Sequence, residues 1–215
     1  MITVPFKRIV RYFVGRILYS SGMLEMLLRI NCRNKAFILM YHRVLPSIHM
    51  GGGLVEPGMY VTPASLEMHI MLLQKMFTII PLHELIARIQ SRQEIGRCCS
   101  LTFDDGWKDN FDYAYPILKR HEVPATIFVT TGLLGTNKWF WPDEVSFLLM
   151  NTLENIPITQ DIDPHLGEAI EKFMRGLSQE KVLSDIIFRM KAMCPEDRDR
   201  TLIHLRKICH GQPSE

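Results

Sequence analysis

Asp104 and Asp105 stand side by side between the apolar run CCSLTF (98–103) and Gly106. Neighbouring side chains leaving a strand diverge, so such a pair does not share one proton as a catalytic dyad does. Two separate tasks are more natural: one carboxylate can hold a cation while the other accepts a proton. A carboxylate-held cation lowers the pKa of bound water, and a nearby carboxylate can take that water's proton during attack on a carbonyl. The chemistry is hydrolytic. An aspartyl phosphatase would need D-x-D, which this spacing does not supply. Read alone, Asp-Asp-Gly also fits a plain polar turn at a strand end. Gly106 would let the backbone turn sharply and leave room for a substrate.

Other chemistry-bearing side chains are scattered. His42 follows the apolar run FILMY (37–41) and, from the residues alone, reads as a satisfied histidine capping that strand. His42 and His49 are seven apart, and His204 and His210 are six apart, which on a helix turns them roughly 240° from each other. Neither pair makes a two-point metal ligand, and His69, His83, His121 and His165 read as surface or helix-end residues. Trp139 and Trp141 suit either sugar stacking or packing against the helices that follow, the second being the expectation. Lys108 and Asp109 are expected to be solvated in the first turn of a helix. Five cysteines, with Cys98 and Cys99 adjacent on a strand and no C-x-x-C among Cys32, Cys194 and Cys209, predict free thiols without chemistry.

The elements that must hold these residues follow from hydrophobic spacing. FILMY predicts a fully buried strand. Residues 46–61 contain Pro46, Gly51 to Gly53, Pro57 and Gly58 and predict a loop without regular structure. Thr62 followed by Pro63 predicts a helix start, with Leu66, Ile70, Leu73 and Met76 on its buried face. FTIIPL (77–82) reads as a strand, HELIARIQ (83–90) as a helix, and CCSLTF as a strand. Trp107, Phe111, Ala114, Tyr115 and Leu118 trace one helical stripe, and ATIFVT (125–130) is a strand again. Strands alternating with helices predict parallel pairing in an α/β architecture, with open sheet and barrel both open at this level. Residues 143–210 show only helical spacing, interrupted at Pro157, Pro164, Gly176 and Pro195.

The net charge of +2 does not predict a nucleic-acid partner. Through residue 35, however, seven bases (Lys7, Arg8, Arg11, Arg16, Arg29, Arg33, Lys35) face one acid, Glu25, a net of +6 that leaves −4 for the rest. Phe6, Ile9, Val10, Phe13, Ile17 and Leu18 interleave with these bases at helical spacing. The segment reads either as a helix on an anionic membrane surface or as one packed on its own domain. Arg11 and Arg16 interrupt every apolar run, so neither a transmembrane helix nor a secretory signal peptide is expected. A cytoplasmic chain, or one peripheral on the cytoplasmic membrane face, is the expectation.

ILMYHRVLP (38–46), LTFDDGWKDN (101–110), VPATIFVTT (123–131) and FWPDEVSFLL (140–149), in this order, resemble the polysaccharide deacetylase family, the carbohydrate esterases that share the NodB homology domain. The resemblance covers about residues 10–150. It implies a partial distorted (β/α) barrel of parallel strands and a metal-dependent hydrolase that removes N-acetyl groups from a glycan, with zinc as the common metal. It matches Asp104 to the catalytic base, Asp105 to a metal ligand, and His42 to the histidine of the family's Y-H motif near the substrate. The family completes its metal site with an H-[ST]-x-x-H motif on a later strand, and this sequence contains none. The chain is therefore expected to be incomplete by itself: a barrel completed by a second chain, a non-catalytic remnant, or a membrane-surface binding module. The expected organisation is a basic amphipathic segment at 1–35, the first half of the barrel at 36–142, and a helical appendage at 143–215.

Overall fold

The computed structural model describes residues 6–46, 55, 58–151, 164–176 and 179–208. Expectations at His49, Gly51 to Gly53, Pro57, Pro157, Cys209 and His210 lie outside the described residues. The chain opens with two helices, α1 (Phe6–Ser20) and α2 (Met23–Asn31), separated by a turn at Gly22, whose φ of +71° is costly for any residue with a Cβ. Strand β1 (Phe37–Tyr41) follows, then β2 (Arg43–Val44), which pairs in parallel with β3 (Tyr60–Val61). The breaker-rich stretch thus ends in regular structure after all, because Tyr60 and Val61 find a partner strand that local composition does not reveal.

Helix α3 (Pro63–Met76) starts as its sequence predicts, with the Thr62 hydroxyl accepting from the Ser65 amide at 3.1 Å. Leu66, Ile70 and Leu73 are buried on its inner face, whereas Met76 is half-buried. Strand β4 is only Thr78–Ile79, followed by α4 (Leu82–Gln90) and β5 (Cys98–Phe103). After β5 come a π-helical turn (Asn110–Ala114), α5 (Tyr115–Arg120) and β6 (Thr126–Ile127). The π-turn breaks the predicted single stripe: Ala114 and Leu118 are buried, but Phe111 and Tyr115 face solvent, stacked on each other at 5.6 Å. A turn wider than 3.6 residues rotates side chains off the face that α-helical counting assigns them.

Strand β5 is the centre of the sheet. Strand β1 runs along one edge from Phe37↔Cys99 to Tyr41↔Phe103, while β4 pairs with the start of β5 and β6 with its tip. Among the described residues every pairing is parallel, and helices lie between the successive strands of the four-stranded sheet, so the chain forms the α/β architecture expected of a distorted barrel arc. All six residues of β5 are buried. Strand β1 is not the fully buried strand its composition predicts: Phe37, Ile38 and Met40 are exposed. Strand β5 is flanked on both edges, whereas β1 has a paired neighbour on one edge alone among the described residues.

Two large hydrophobic cores result among the described residues, beside a small cluster of Ile80, Leu85 and Cys98. One joins Tyr41, Leu66, Ile70, Leu101, Phe103 and Leu118 around the sheet. The other joins α6 (Trp141–Met150), α7 (Pro164–Met174), α8 (Gln179–Ala192) and α9 (Pro195–Ile208) through Leu148, Leu166, Phe173, Ile186 and Leu205. Pro164 and Pro195 open α7 and α9, the first-turn position that proline tolerates. Cys32, Cys98 and Cys99 are buried free thiols and Cys194 is an exposed one. Burial, with the neighbouring Cys98, pushes the Cys99 thiol up to about 11, which keeps it protonated and inert at neutral pH.

Candidate functional site

The candidate aspartates sit where β5 ends. The Asp104 amide donates to the Tyr41 carbonyl at 2.9 Å, extending the β1–β5 ladder one residue past the strand and fixing the Asp104 backbone. The chain then reverses through two successive left-handed residues, Asp105 at φ +70° and Gly106 at φ +73°. A short polar side chain tolerates that conformation far better than a branched one. The Thr130 amide donates to the Asp105 carbonyl at 3.3 Å, so the segment after β6 buttresses the turn.

Gly106 is needed for its backbone angle and for contact with this segment. A Cβ there would lie 2.7 Å from Val129 Cγ1 and 3.2 Å from Val129 Cα. Val129 fills the direction a Cβ would take, while Gly106 still borders an open cleft.

Trp107 lies over the turn, its indole Nε1 donating to Asp105 Oδ2 at 3.4 Å. The Arg43 guanidinium stacks 4.2 Å from the Trp107 ring centroid, and the Phe140 ring meets Trp107 edge-on at 5.6 Å. Arg43 also joins two acids from distant parts of the chain. Its Nε donates to Asp109 Oδ2 at 2.9 Å and its Nη1 to Asp143 Oδ1 at 2.8 Å. The second oxygen of Asp109 accepts the Val44 amide at 2.9 Å.

Asp109, expected to be solvated, is instead only 7% exposed, while its neighbour Lys108 is open to solvent as expected. Sequence offers no signal for this pairing, because the Arg43 and Asp143 partners are 100 residues apart and neither follows a periodicity. Burial raises the Asp143 carboxyl to about 6, Arg43 opposes the shift, and the charges of Asp109 and Asp105 add to it.

Among the described residues, clefts open around this turn on three sides. One of about 270 Å³ is lined by His42, Arg43, Asp105, Trp141, Lys191 and Arg198. A second, of about 450 Å³, is lined by Asp105, Gly106, Trp107, Thr130, Trp139 and Asp143. The third, about 490 Å³ and shallow, is lined by Ile38, Met40, Thr102, Asp104, Asp105 and Phe128. Asp105 borders all three, Asp104 the third, and His42 the first. Trp139 and Trp141 both border clefts and both pack: Trp139 meets Phe147 edge-on at 5.1 Å, and Trp141 carries the Arg198 guanidinium 5.3 Å from its ring centroid.

The remaining histidines lie elsewhere. His69 stacks on Tyr41, its Nδ1 3.3 Å from the Tyr41 hydroxyl, and His121 pairs with Glu67 at 2.8 Å. Among the described residues no three His, Cys, Asp or Glu side chains come together as a cation site, so the described donors do not by themselves fit a zinc ion.

Residues 91–154 match the polysaccharide deacetylase family. A curated relative in Bacillus subtilis (strain 168), YxkH, named provisionally as a polysaccharide deacetylase, is 34% identical over 100 residues. That match covers 46% of this chain and 33% of the relative, so the chain spans about a third of the relative's length. Among solved structures, the Streptococcus pyogenes deacetylase PplD in complex with acetate is 22% identical over 66% of this chain and 69% of its own, with a TM-score of 0.39. IcaB from Ammonifex degensii is 17% identical over 80% of this chain and 97% of its own, with a TM-score of 0.39. Superpositions this loose transfer no residue roles.

Proposed function

Residues 91–154 match the polysaccharide deacetylase family, and we propose that the chain is a member of it and serves the hydrolysis of N-acetyl groups on a glycan. The observation that carries the reading is the turn after β5, where Asp104 and Asp105 share the shallow third cleft and Asp105 also borders the other two. Asp104, held at its backbone by Tyr41, is the proposed acceptor for the proton of the attacking water. Asp105, oriented by the Trp107 indole, is the proposed carboxylate ligand of a divalent cation, zinc by preference. The described residues supply no complete ligand set, so the other donors have to come from elsewhere. A second chain is the proposed source, packing over the exposed apolar side chains of Ile38, Met40 and Phe128 beside Asp104. His42 and Trp141, on the first cleft, are proposed to meet the sugar.

Acetate release from N-acetylglucosamine oligomers, measured together with bound zinc, tests the reading. Activity that disappears in both Asp104→Ala and Asp105→Ala, with zinc lost only in Asp105→Ala, is the expected result. A folded protein that releases no acetate with any divalent cation, alone or with the second chain, would leave a binding module without chemistry.

A further inference from the structure

Helices α1 and α2 each leave a complete apolar stripe uncovered. On α1, Val10, Phe13, Val14 and Ile17 recur at i, i+3, i+4 and i+7, and all are exposed, Phe13 and Ile17 by more than half. On α2, Met23, Met26, Leu27 and Ile30 repeat the same spacing and are likewise exposed. A soluble monomer rarely leaves a contiguous apolar surface of this extent to water. The two helices are joined by the tight turn at Gly22, and the turn after α2 is tied to the sheet by the Arg97 amide, shared between the carbonyls of Cys32 and Lys35 at 3.3 and 3.1 Å. The stripes are therefore presented by an anchored element.

Charge decides what covers them. Arg11, Arg16, Arg33 and Lys35 are exposed beside the stripes, α1 carries no acid in its first turn, and residues through 35 hold a net +6. Tyr12 and Tyr19, also exposed, put amphipathic rings where a bilayer meets water. A second copy docking here would set +6 against +6, whereas an anionic lipid surface meets bases and apolar side chains together. We infer that α1 and α2 lie on an anionic phospholipid surface, with the two stripes in the acyl boundary and the arginines among the headgroups. No helix of the described residues is long and apolar enough to cross a membrane, so contact is along the surface.

Co-sedimentation of the full chain with phosphatidylcholine vesicles, with and without phosphatidylglycerol, tests this. Binding is expected only with the anionic lipid and weakens as salt is raised. Replacing Arg11→Gln together with Arg16→Gln lowers the partition coefficient roughly thirtyfold, about one headgroup attraction for each base removed. Phe13→Asp with Ile17→Asp abolishes binding, and because both positions are exposed the variant keeps the wild-type far-ultraviolet circular dichroism. Equal binding to both vesicle types, or binding that survives both double variants, overturns the inference. A concentration-dependent dimer that Phe13→Asp with Ile17→Asp dissolves, in a chain that ignores anionic vesicles, assigns the face to a second copy and overturns it as well.

Discussion

Asp143 is the residue whose replacement tests the electrostatics of the site most directly. Its carboxyl retains 23% exposure, accepts from Arg43 at 2.8 Å, and is raised from the ordinary 3.8 to about 6 by burial. A carboxyl raised in the folded protein binds more protons there than in the unfolded chain throughout the window between about pH 4 and pH 6. Stability from this group is therefore complete below the unfolded value and is lost as pH climbs through the folded one. The difference between 3.8 and about 6, at 1.36 kcal/mol for each pH unit, amounts to about 3 kcal/mol of destabilisation at neutral pH. Asp143→Asn keeps an oxygen for Arg43 and removes the charge, so it mimics the protonated acid. Urea unfolding should find the variant more stable than wild type by about 2–3 kcal/mol near pH 7, with the two proteins converging near pH 4. A difference that stays flat across that range, or a variant less stable near neutrality, would refute burial as the dominant influence on this carboxyl.

Two further stability predictions rest on single contacts. Gly106→Ala places a Cβ against Val129 at positive φ, and should cost about 1–2 kcal/mol for the backbone angle alone. Adding Val129→Ala should recover the part of the loss that comes from Cγ1, but neither the tight approach to the remaining Val129 Cβ and Cα nor the backbone part, read as a shift in urea midpoint. Glu144, 8% exposed, accepts from Arg206 Nε at 2.6 Å and Nη2 at 2.8 Å, which ties α9 to α6. Arg206→Ala leaves that carboxylate buried without its partner and should lower stability by about 2–3 kcal/mol, with Arg206→Lys rescuing little because one ammonium cannot serve both oxygens. A loss below about 0.5 kcal/mol in thermal unfolding would mean that water replaces the guanidinium.

What the sequence determined by itself is local. The Thr62 cap, the apolar run of β5, the helical spacing of α6 to α9 and the turn signal at Asp104, Asp105 and Gly106 are written in consecutive residues, because backbone preference and burial periodicity act over a few positions. The proposed base and ligand are legible for the same reason, as neighbours at a strand end. Only the tertiary structure decided the rest. It buried Asp109 and Asp143 against Arg43, filled the space beside Gly106 with Val129, and left β1 and the stripes of α1 and α2 open. Each of these is a relation between segments far apart in the chain, and a residue's exposure and charge state depend on which distant surface reaches it. Spacing along one segment carries no record of that surface.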